Sequence, residues 1–199
     1  MGAEASAAAR RRWGRRAFVA SLSCLLLSSP LVAEESVPLA RQAELVAKVA
    51  PYDRAFASRA GDAARVLIAF REGDADSVHA SRTLERAFLD LGTIGGLPVQ
   101  VTLSPFKGAA ALAEACRALK IAILYVAPRL HDDAPAIAAA LSGGSVLSVG
   151  GDASYVSKRI VLGFELVSGK PKLVVHLDQA KQQGVSFKAE VLKLMRVIE

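Results

Sequence analysis

Short apolar runs alternate with longer amphipathic segments along most of the chain. The apolar runs cover residues 66–70, 99–103, 121–126 and 145–149, and segments with helical periodicity lie at about 77–91, 108–119 and 132–141. Short buried strands that alternate with helices indicate βαβ units, in which a parallel sheet is covered on both faces. The pattern therefore predicts an α/β fold, a three-layer, parallel-rich sheet flanked by helices.

The C-terminal part of the chain carries a different pattern. β-branched runs at 160–167 and 172–177 flank a Ser-Gly-Lys-Pro sequence, which predicts two antiparallel strands joined by a turn. Asp178 is a candidate N-cap for a short helix, and Gly184 is placed to end it. Apolar residues then recur at helical spacing over 187–198, so we expect a C-terminal antiparallel hairpin followed by a terminal amphipathic helix.

The N-terminal 33 residues have the composition of a secretory signal. Arginines between positions 10 and 16 precede a short apolar stretch at 17–27, and small residues lead to Ala33. The apolar stretch is shorter than the roughly 20 residues that a membrane-spanning helix needs. We therefore predict a cleavable signal peptide at 1–33, exported by the Sec or the twin-arginine route, a linker at 34–38 and a single α/β domain at 39–199.

The charge of the chain is concentrated in this leader. The whole sequence has 25 basic and 19 acidic residues, and residues 1–33 hold five Arg and one Glu, which leaves 20 basic and 18 acidic residues, a net charge of +2. The basic sequence pI is therefore no evidence for nucleic-acid binding, and we expect no nucleic-acid partner.

One cysteine, Cys116, remains after the leader, so the mature chain has no intrachain disulfide. It shares a helical face with Leu112 and Leu119, a position that favours a buried and inert thiol.

A kink or helix end is expected at Pro51, followed by core packing of Tyr52.

Three stretches carry a resemblance to a known family: the C-terminal hairpin, the run VVHLDQAKQQGVSFKAEVLKLMRVI and the upstream segment AELVAKVAPYDRAF. Together they resemble the YfiR-like family of bacterial periplasmic proteins over residues 38–199. The family pattern usually has Asn where this chain has His176, and other members carry cysteine pairs that this chain lacks. His176 is then either a hydrogen-bonded structural substitute or a pH-sensitive contact.

The resemblance implies a non-enzymatic regulator in the periplasm that forms a homodimer. It implies a partner as well, the periplasmic part of an inner-membrane signalling protein, either a diguanylate cyclase of cyclic-di-GMP signalling or a sensor kinase. A periplasmic protein whose function is to bind a small ligand is the alternative.

Motifs for catalysis, metals and cofactors are scarce. Ser104 and Lys107 match S-x-x-K, in which the Lys activates a Ser nucleophile, but the companion motifs are missing, so a hydrolase using this pair is a further alternative. His131 precedes Asp132 and Asp133, yet a metal site needs three or four convergent ligands, and an N-cap role for either Asp is the simpler interpretation. We therefore expect no enzyme activity, no cofactor and no metal.

The candidate binding residues lie around the last parallel strand and the hairpin. Ligands of open α/β sheets bind beyond the carboxyl ends of the strands. For a small ligand this rule selects Gly150, Gly151, Asp152 and Lys158. For a protein partner we select Tyr155, Phe164 and Glu165, since this region combines aromatic side chains with exposed turns.

Overall fold

The structure is a computed structural model, and it describes residues 36–199. The predicted signal peptide at 1–33 lies outside the described residues, as do the first two residues of the predicted linker.

An eight-stranded sheet forms the centre of the described region. Its strands are β1 (Ala64–Phe70), β2 (Thr93–Ile94), β3 (Leu97–Pro105), β4 (Ile123–Val126), β5 (Leu147–Gly150), β6 (Leu162–Val167), β7 (Lys170–His176) and β8 (Arg196–Ile198). Their order across the sheet is β2-β3-β1-β4-β5-β6-β7-β8. The β2–β3 and β6–β7 pairs are antiparallel and the other five are parallel.

Helices follow most of the strands. They are α1 (Leu39–Val49), α2 (Phe56–Ala60), α3 (Ala75–Leu91), α4 (Ala109–Ala118), α5 (Ala134–Leu141), α6 (Ala153–Ser157), α7 (Leu177–Gln182) and α8 (Ala189–Leu192). Short 3-10 turns at Ala50–Tyr52 and His131–Asp133 precede α2 and α5. The 3-10 turn after α1 begins at Ala50 and has Pro51 in its first turn, which confirms that the helix ends there.

The sheet separates two hydrophobic clusters, because successive side chains of a strand point to opposite faces. In β1, Val66 and Ile68 belong to one cluster, which includes Leu84 and Phe88 of α3. Leu67 and Ala69 belong to the other, which includes Leu112 of α4 and Ile137 of α5. The predicted three-layer α/β architecture is confirmed.

The ends of α3 illustrate how local sequence sets an element. Asp74 accepts a hydrogen bond from the backbone N–H of Ser77 at 2.9 Å, and Gly92 ends the helix at a φ of +70°. An L side chain rarely adopts that conformation, so a glycine suits this position.

The predicted hairpin is confirmed, but its turn is tighter than expected. Val167 pairs with Lys170, so the loop consists of Ser168 and Gly169 alone, at φ angles of +52° and +72°. Two consecutive positive φ values are those of a two-residue type I′ turn, whose twist matches that of the flanking strands.

The predicted terminal amphipathic helix is wrong. Helix α8 has four residues, and the chain then extends into β8, where Arg196 to Ile198 pair in parallel with Val174 to His176. Continuing the helix would leave one edge of β7 unpaired, and the β-branched Val197 and Ile198 suit a strand. Leu194, expected on the apolar helical face, is 72% exposed.

Two smaller expectations are also wrong. His176, not Asp178, caps α7, because β7 runs directly into the helix and places Asp178 in its first turn. Tyr52 is 44% exposed instead of packing in the core, and the ammonium of Lys188 lies over its ring at 6.0 Å. Gly184 follows α7 at a φ of +61°, as expected of a left-handed C-cap residue.

Candidate functional site

A cleft opens where β5 ends and β6 continues. Val149 of β5 pairs with Leu162 of β6, so the next residues of β6 extend beyond the carboxyl end of β5. The cleft has a volume of about 410 Å³ and is lined by Ser36, Val37, Gly151, Asp152, Ala153, Ser154, Phe164, Glu165 and Leu166. We call it the β5–β6 cleft. It lies beyond the carboxyl ends of the parallel strands, where the sequence predicted a ligand.

Two glycines allow α6 to lie against the strands beside this cleft. A Cβ on Gly150 would lie 2.4 Å from the Cβ of Tyr155, and one on Gly163 would lie 2.5 Å from the carbonyl oxygen of Asp152. Neither distance is tolerated by real side chains, so both positions need glycine. Gly150 therefore shapes the wall of the cleft, while Gly151 contributes to its lining.

The two carboxylates of the cleft already have partners. Asp152 caps α6, since its Oδ1 accepts a hydrogen bond from the backbone N–H of Ser154 at 2.7 Å. Glu165 accepts a hydrogen bond from the guanidinium of Arg196 at 2.8 Å, across the intervening strand β7. A ligand in the cleft would therefore meet carboxylates that are held in fixed positions.

Lys158 lies at the far end of α6 and does not line the cleft. Its ammonium pairs with Asp132 at 3.1 Å and lowers the pKa of that carboxyl group. Asp133 pairs with Arg71 in the same region. Asp133 occupies the N-cap position of α5 but makes no capping hydrogen bond through its side chain, so ion pairing replaces the predicted capping role.

Tyr155 and Phe164 do not fit the role of exposed partner contacts. They are 3% and 1% exposed, because the hydroxyl of Tyr155 donates to the carbonyl of Ala127 at 3.1 Å and Phe164 packs in the core beneath the cleft. Burial, with the negative charge of Asp152 as the next cause, raises the pKa of Tyr155 to about 12. Of the three residues selected for a partner, Glu165 is the one with a partly exposed side chain, 21%.

A buried chain of polar groups lies next to the cleft, and sequence reasoning missed it. The hydroxyl of Tyr125 in β4 donates to the side-chain oxygen of Gln42 in α1, and the Gln42 amide donates to the carbonyl of Val37 at 2.7 Å. Burial raises the pKa of Tyr125, so it remains a neutral donor. A Cβ on Gly151 would lie 3.6 Å from this hydroxyl.

This chain connects the central strand β4 with Val37, which lines the cleft. Two signals in the sequence point to it, a tyrosine within the apolar run of β4 and a glutamine on the apolar face of α1. Neither signal identifies the other residue as its partner, because the two are 83 positions apart.

The remaining candidates do not form a catalytic or metal site. Ser104 lies in the extended strand β3 and Lys107 lies in the loop before α4, so the Lys is not one helical turn from the Ser. No group of three or more potential metal ligands occurs among residues 36–199. Cys116 is buried, as predicted, and burial raises the pKa of its thiol to about 12.

Across the described part of the chain, none of the helices is both long enough and apolar enough to cross a bilayer.

Comparison with known proteins gives a family and a fold. A family model described as YfiR/HmsC-like matches residues 80–196. No protein of curated function matches the sequence. Among solved structures, a conserved domain protein from Vibrio cholerae is similar, with a TM-score of 0.58 and 15% identity over 83% of this chain and 61% of that chain.

Two further solved structures share the fold. One is an ABC domain in complex with L-Trp from Streptococcus pneumonia, with a TM-score of 0.54 and 12% identity over 81% of this chain and 62% of that one. The other is an open, ligand-free substrate binding protein with adhesive properties from Clostridium difficile, with a TM-score of 0.58 and 12% identity over 82% and 60%. The chain thus spans about three fifths of each of these three structures.

Proposed function

The chain belongs to the YfiR/HmsC-like family, and from this membership we propose that it is an exported, non-enzymatic regulator. In this proposal it binds the periplasmic part of an inner-membrane signalling protein, a diguanylate cyclase, and represses it. The family match over residues 80–196 is the observation that carries the proposal, because it includes α6, β6 and β7, the elements around the β5–β6 cleft. The proposal includes a signal peptide at 1–33, a linker at 34–38, a domain at 39–199 and a homodimer.

The β5–β6 cleft supports the proposal as a place of contact. Glu165 and Leu166 of β6 are partly exposed and follow the buried Phe164, so they offer a partner one charge and one apolar side chain beside a concave surface. We propose that Glu165 contacts the partner and that Gly151 and Asp152 contact whatever segment enters the cleft. Tyr155, Phe164 and Gly150 support the shape of this surface from below.

Repression follows if the regulator binds one conformation of its partner more tightly than the other. The free-energy difference between the two complexes then shifts the partner towards its inactive state. A small molecule that occupied the cleft would compete with the partner and release it.

A substitution at the mouth of the cleft tests this function. Ser154 and Ser157 are both exposed serines of α6, but only Ser154 lines the cleft. We expect Ser154→Trp to fill the cleft and to reduce the amount of partner captured from solubilised inner membranes about tenfold or more, because lost complementarity at an interface centre is costly. Mass spectrometry of the captured material identifies the partner.

Ser157→Trp is the matched control and should capture as much partner as the unchanged protein. Equal losses in both variants would rule out the cleft as the contact surface. If the unchanged protein captured no membrane signalling protein under native and crosslinked conditions, the regulatory function itself would be wrong. Light scattering of the purified protein checks the proposed homodimer.

Small-ligand binding is a second candidate, favoured by the volume of the cleft. About 410 Å³ falls within the range of ligand pockets, roughly 300 to 1,000 Å³. The similar structures include one in complex with L-Trp and one substrate binding protein, although identities of 12% extend to the fold alone. A ligand screen that stabilises the unchanged protein but not Ser154→Trp would favour this candidate.

A further inference from the structure

A second cleft lies at the opposite end of the parallel strands from the β5–β6 cleft. It has a volume of about 380 Å³ and is lined by Ser58, Arg59, Cys116, Arg117, Lys120, Ile121 and Ser145. Ile121 and Ser145 lie two positions before the first residues of β4 and β5, so this cleft lies at the amino ends of those strands. We call it the amino-edge cleft.

Arg59 is the most deeply placed cation of this cleft. Its side chain is 3% exposed and pairs with the fully buried carboxylate of Asp53 through Nη2. Nε donates to the hydroxyl oxygen of Ser145 at 3.1 Å, and Nη2 also donates to the carbonyl of Gly184 at 3.2 Å. These bonds fix the guanidinium plane against the wall of the cleft.

One nitrogen of this guanidinium is left over. Nη1 of Arg59 is buried and has no hydrogen-bond partner among residues 36–199. Buried polar groups are normally hydrogen-bonded, so this donor is available to a water molecule or an anion that reaches the wall of the cleft. Asp53 accepts from Nη2 of Arg59 and from the backbone N–H groups of Ser186 and Ala55, and it makes no hydrogen bond with Nη1.

The rim of the cleft adds two more cations. Arg117 pairs with Glu114 on its own helix, but both side chains are more than half exposed, so water competes strongly with this pair. Lys120 forms no salt bridge within residues 36–199, although its charge contributes to lowering the pKa of Asp62, and it has a φ of +51° in the loop before β4. The cleft therefore presents positive charge and two hydroxyl groups without a carboxylate in its lining.

We infer that the amino-edge cleft binds a small oxyanion of the phosphate class. Arg59 and Ser145 would form the floor of the site, and Arg117 and Lys120 would close over the anion from the rim. The exposed guanidinium of Arg117 can direct two N–H groups at phosphate oxygens, and a concave site suits a small soluble anion better than a membrane surface, which favours a flat patch. This inference is independent of the proposed partner and of the β5–β6 cleft.

Titration calorimetry of the purified protein with inorganic phosphate tests the site. We expect binding with one phosphate per chain, and we expect Arg117→Ala and Lys120→Ala each to weaken it about tenfold, the effect of losing one charge-assisted hydrogen bond. Arg82→Ala is the matched control, because Arg82 is an exposed arginine of α3 that pairs with Glu85 three residues away, as Arg117 pairs with Glu114.

Thermal unfolding without phosphate separates binding from a structural role. Cations near the end of α4 also offset the partial negative charge of the helix C-terminus, so a purely structural role would lower the unfolding temperature and leave phosphate affinity unchanged. That outcome would overturn the inference, and so would equal weakening in Arg82→Ala or no binding by the unchanged protein.

Vesicles form the last arm of the test. Flotation with phosphatidylglycerol vesicles, compared with phosphatidylcholine vesicles, asks whether the cations recognise lipid headgroups. The protein could bind the anionic vesicles, lose that binding in both rim variants, and show no binding of free phosphate. That result would mean that the cations recognise a membrane surface, and it would overturn the inference.

Discussion

His176 shows how one buried side chain links two elements. It ends β7 and caps α7, where its Nδ1 accepts a hydrogen bond from the backbone N–H of Gln179 at 3.4 Å. An accepting Nδ1 carries no proton, so the fold requires the neutral imidazole. Burial lowers the pKa of His176, and the positive charge of Arg159 lowers it further against the opposing effect of Asp178.

The stability of the protein should therefore fall in mild acid. As the pH drops below about 6.5, the unfolded chain protonates His176 before the folded protein does, so the free energy of unfolding decreases until the folded-state pKa is passed. His176→Asn retains a capping acceptor without this titration. We expect its unfolding free energy to change less between about pH 8 and about pH 5 than that of the unchanged protein, as measured by urea denaturation.

His79 offers the control for this measurement, since it is exposed on α3. His79→Asn should leave the pH dependence as it is in the unchanged protein. If His176→Asn and the unchanged protein lost stability in parallel, the neutral cap would not be the source of the acid sensitivity.

At the scale of elements, apolar patterns predicted the parallel strands and their helices well. The run at 121–126 is buried and includes β4, and the run at 66–70 is buried in β1 apart from the half-buried Phe70, since strands covered on both faces have few polar positions. Hydrophobic patterns failed where an element is short or where tertiary contacts determine its secondary structure. The two residues of β2 are too few to show a periodic pattern. Residues 196–198 end a stretch whose apolar positions have helical spacing, but they pair with the free edge of β7.

The candidate site was predictable to a similar extent. Of the four residues selected by the rule that ligands bind beyond the carboxyl ends of parallel strands, Gly151 and Asp152 line a cleft, and Gly150 and Lys158 do not. The rule could not show that Tyr155 turns inwards, because the direction of α6 depends on its contacts with Gly150 and Gly163. Neither could it pair Tyr125 with Gln42, a contact set by the packing of α1 on the sheet.

The packing of α6 gives a prediction at this scale. Gly163→Ala would place a methyl group 2.6 Å from Val156 and against the backbone oxygen of Asp152, so α6 must move away from β6. We expect a loss of about 1 to 3 kcal/mol in the free energy of unfolding, the usual cost of overpacking. Chemical denaturation measures it.

Gly151→Ala is the control for that change. Its new methyl group would meet the hydroxyl of Tyr125 at 3.6 Å, an ordinary contact, and its backbone conformation is not restricted to glycine. A loss as large as that of Gly163→Ala would show that the close approach of α6 is not the cause.

At the scale of the whole molecule, the pair of Asp53 and Arg59 joins the two ends of the domain. Asp53 lies before α2, and its Oδ1 accepts from the backbone N–H of Ser186 at 2.7 Å. A backbone bridge between Asp53 and Phe187 lies beside it. The carboxylate thus satisfies a cation and two backbone N–H groups where the segment after α7 returns to the N-terminal helices.

We expect Asp53→Asn to destabilise the protein by about 3 to 5 kcal/mol, since removing one partner of a buried pair leaves the other charge uncompensated. Urea denaturation checks the value. Asp62→Asn, which breaks the exposed pair with Arg65, should have little effect. If the two variants lost similar amounts of unfolding free energy, burial would not explain the contribution of the Asp53–Arg59 pair.

The family resemblance drawn from the C-terminal motifs is confirmed by the match over residues 80–196.

The domain boundaries are open to a direct test. The described residues, 36–199, form one compact unit around an eight-stranded sheet. We expect a chain that begins at Glu34 to unfold in one cooperative transition, with coincident curves from fluorescence and circular dichroism. Two separate transitions would contradict a single domain.

The contact between Asp53 and Ser186 also bears on the rate at which the protein folds. The two residues are 133 positions apart, so most of the chain must be organised before they meet. Bringing distant segments together costs chain entropy before any contact offsets it, and folding slows as the average separation of contacting residues grows. The contact that joins the two ends of the domain would therefore be among the last to form during folding.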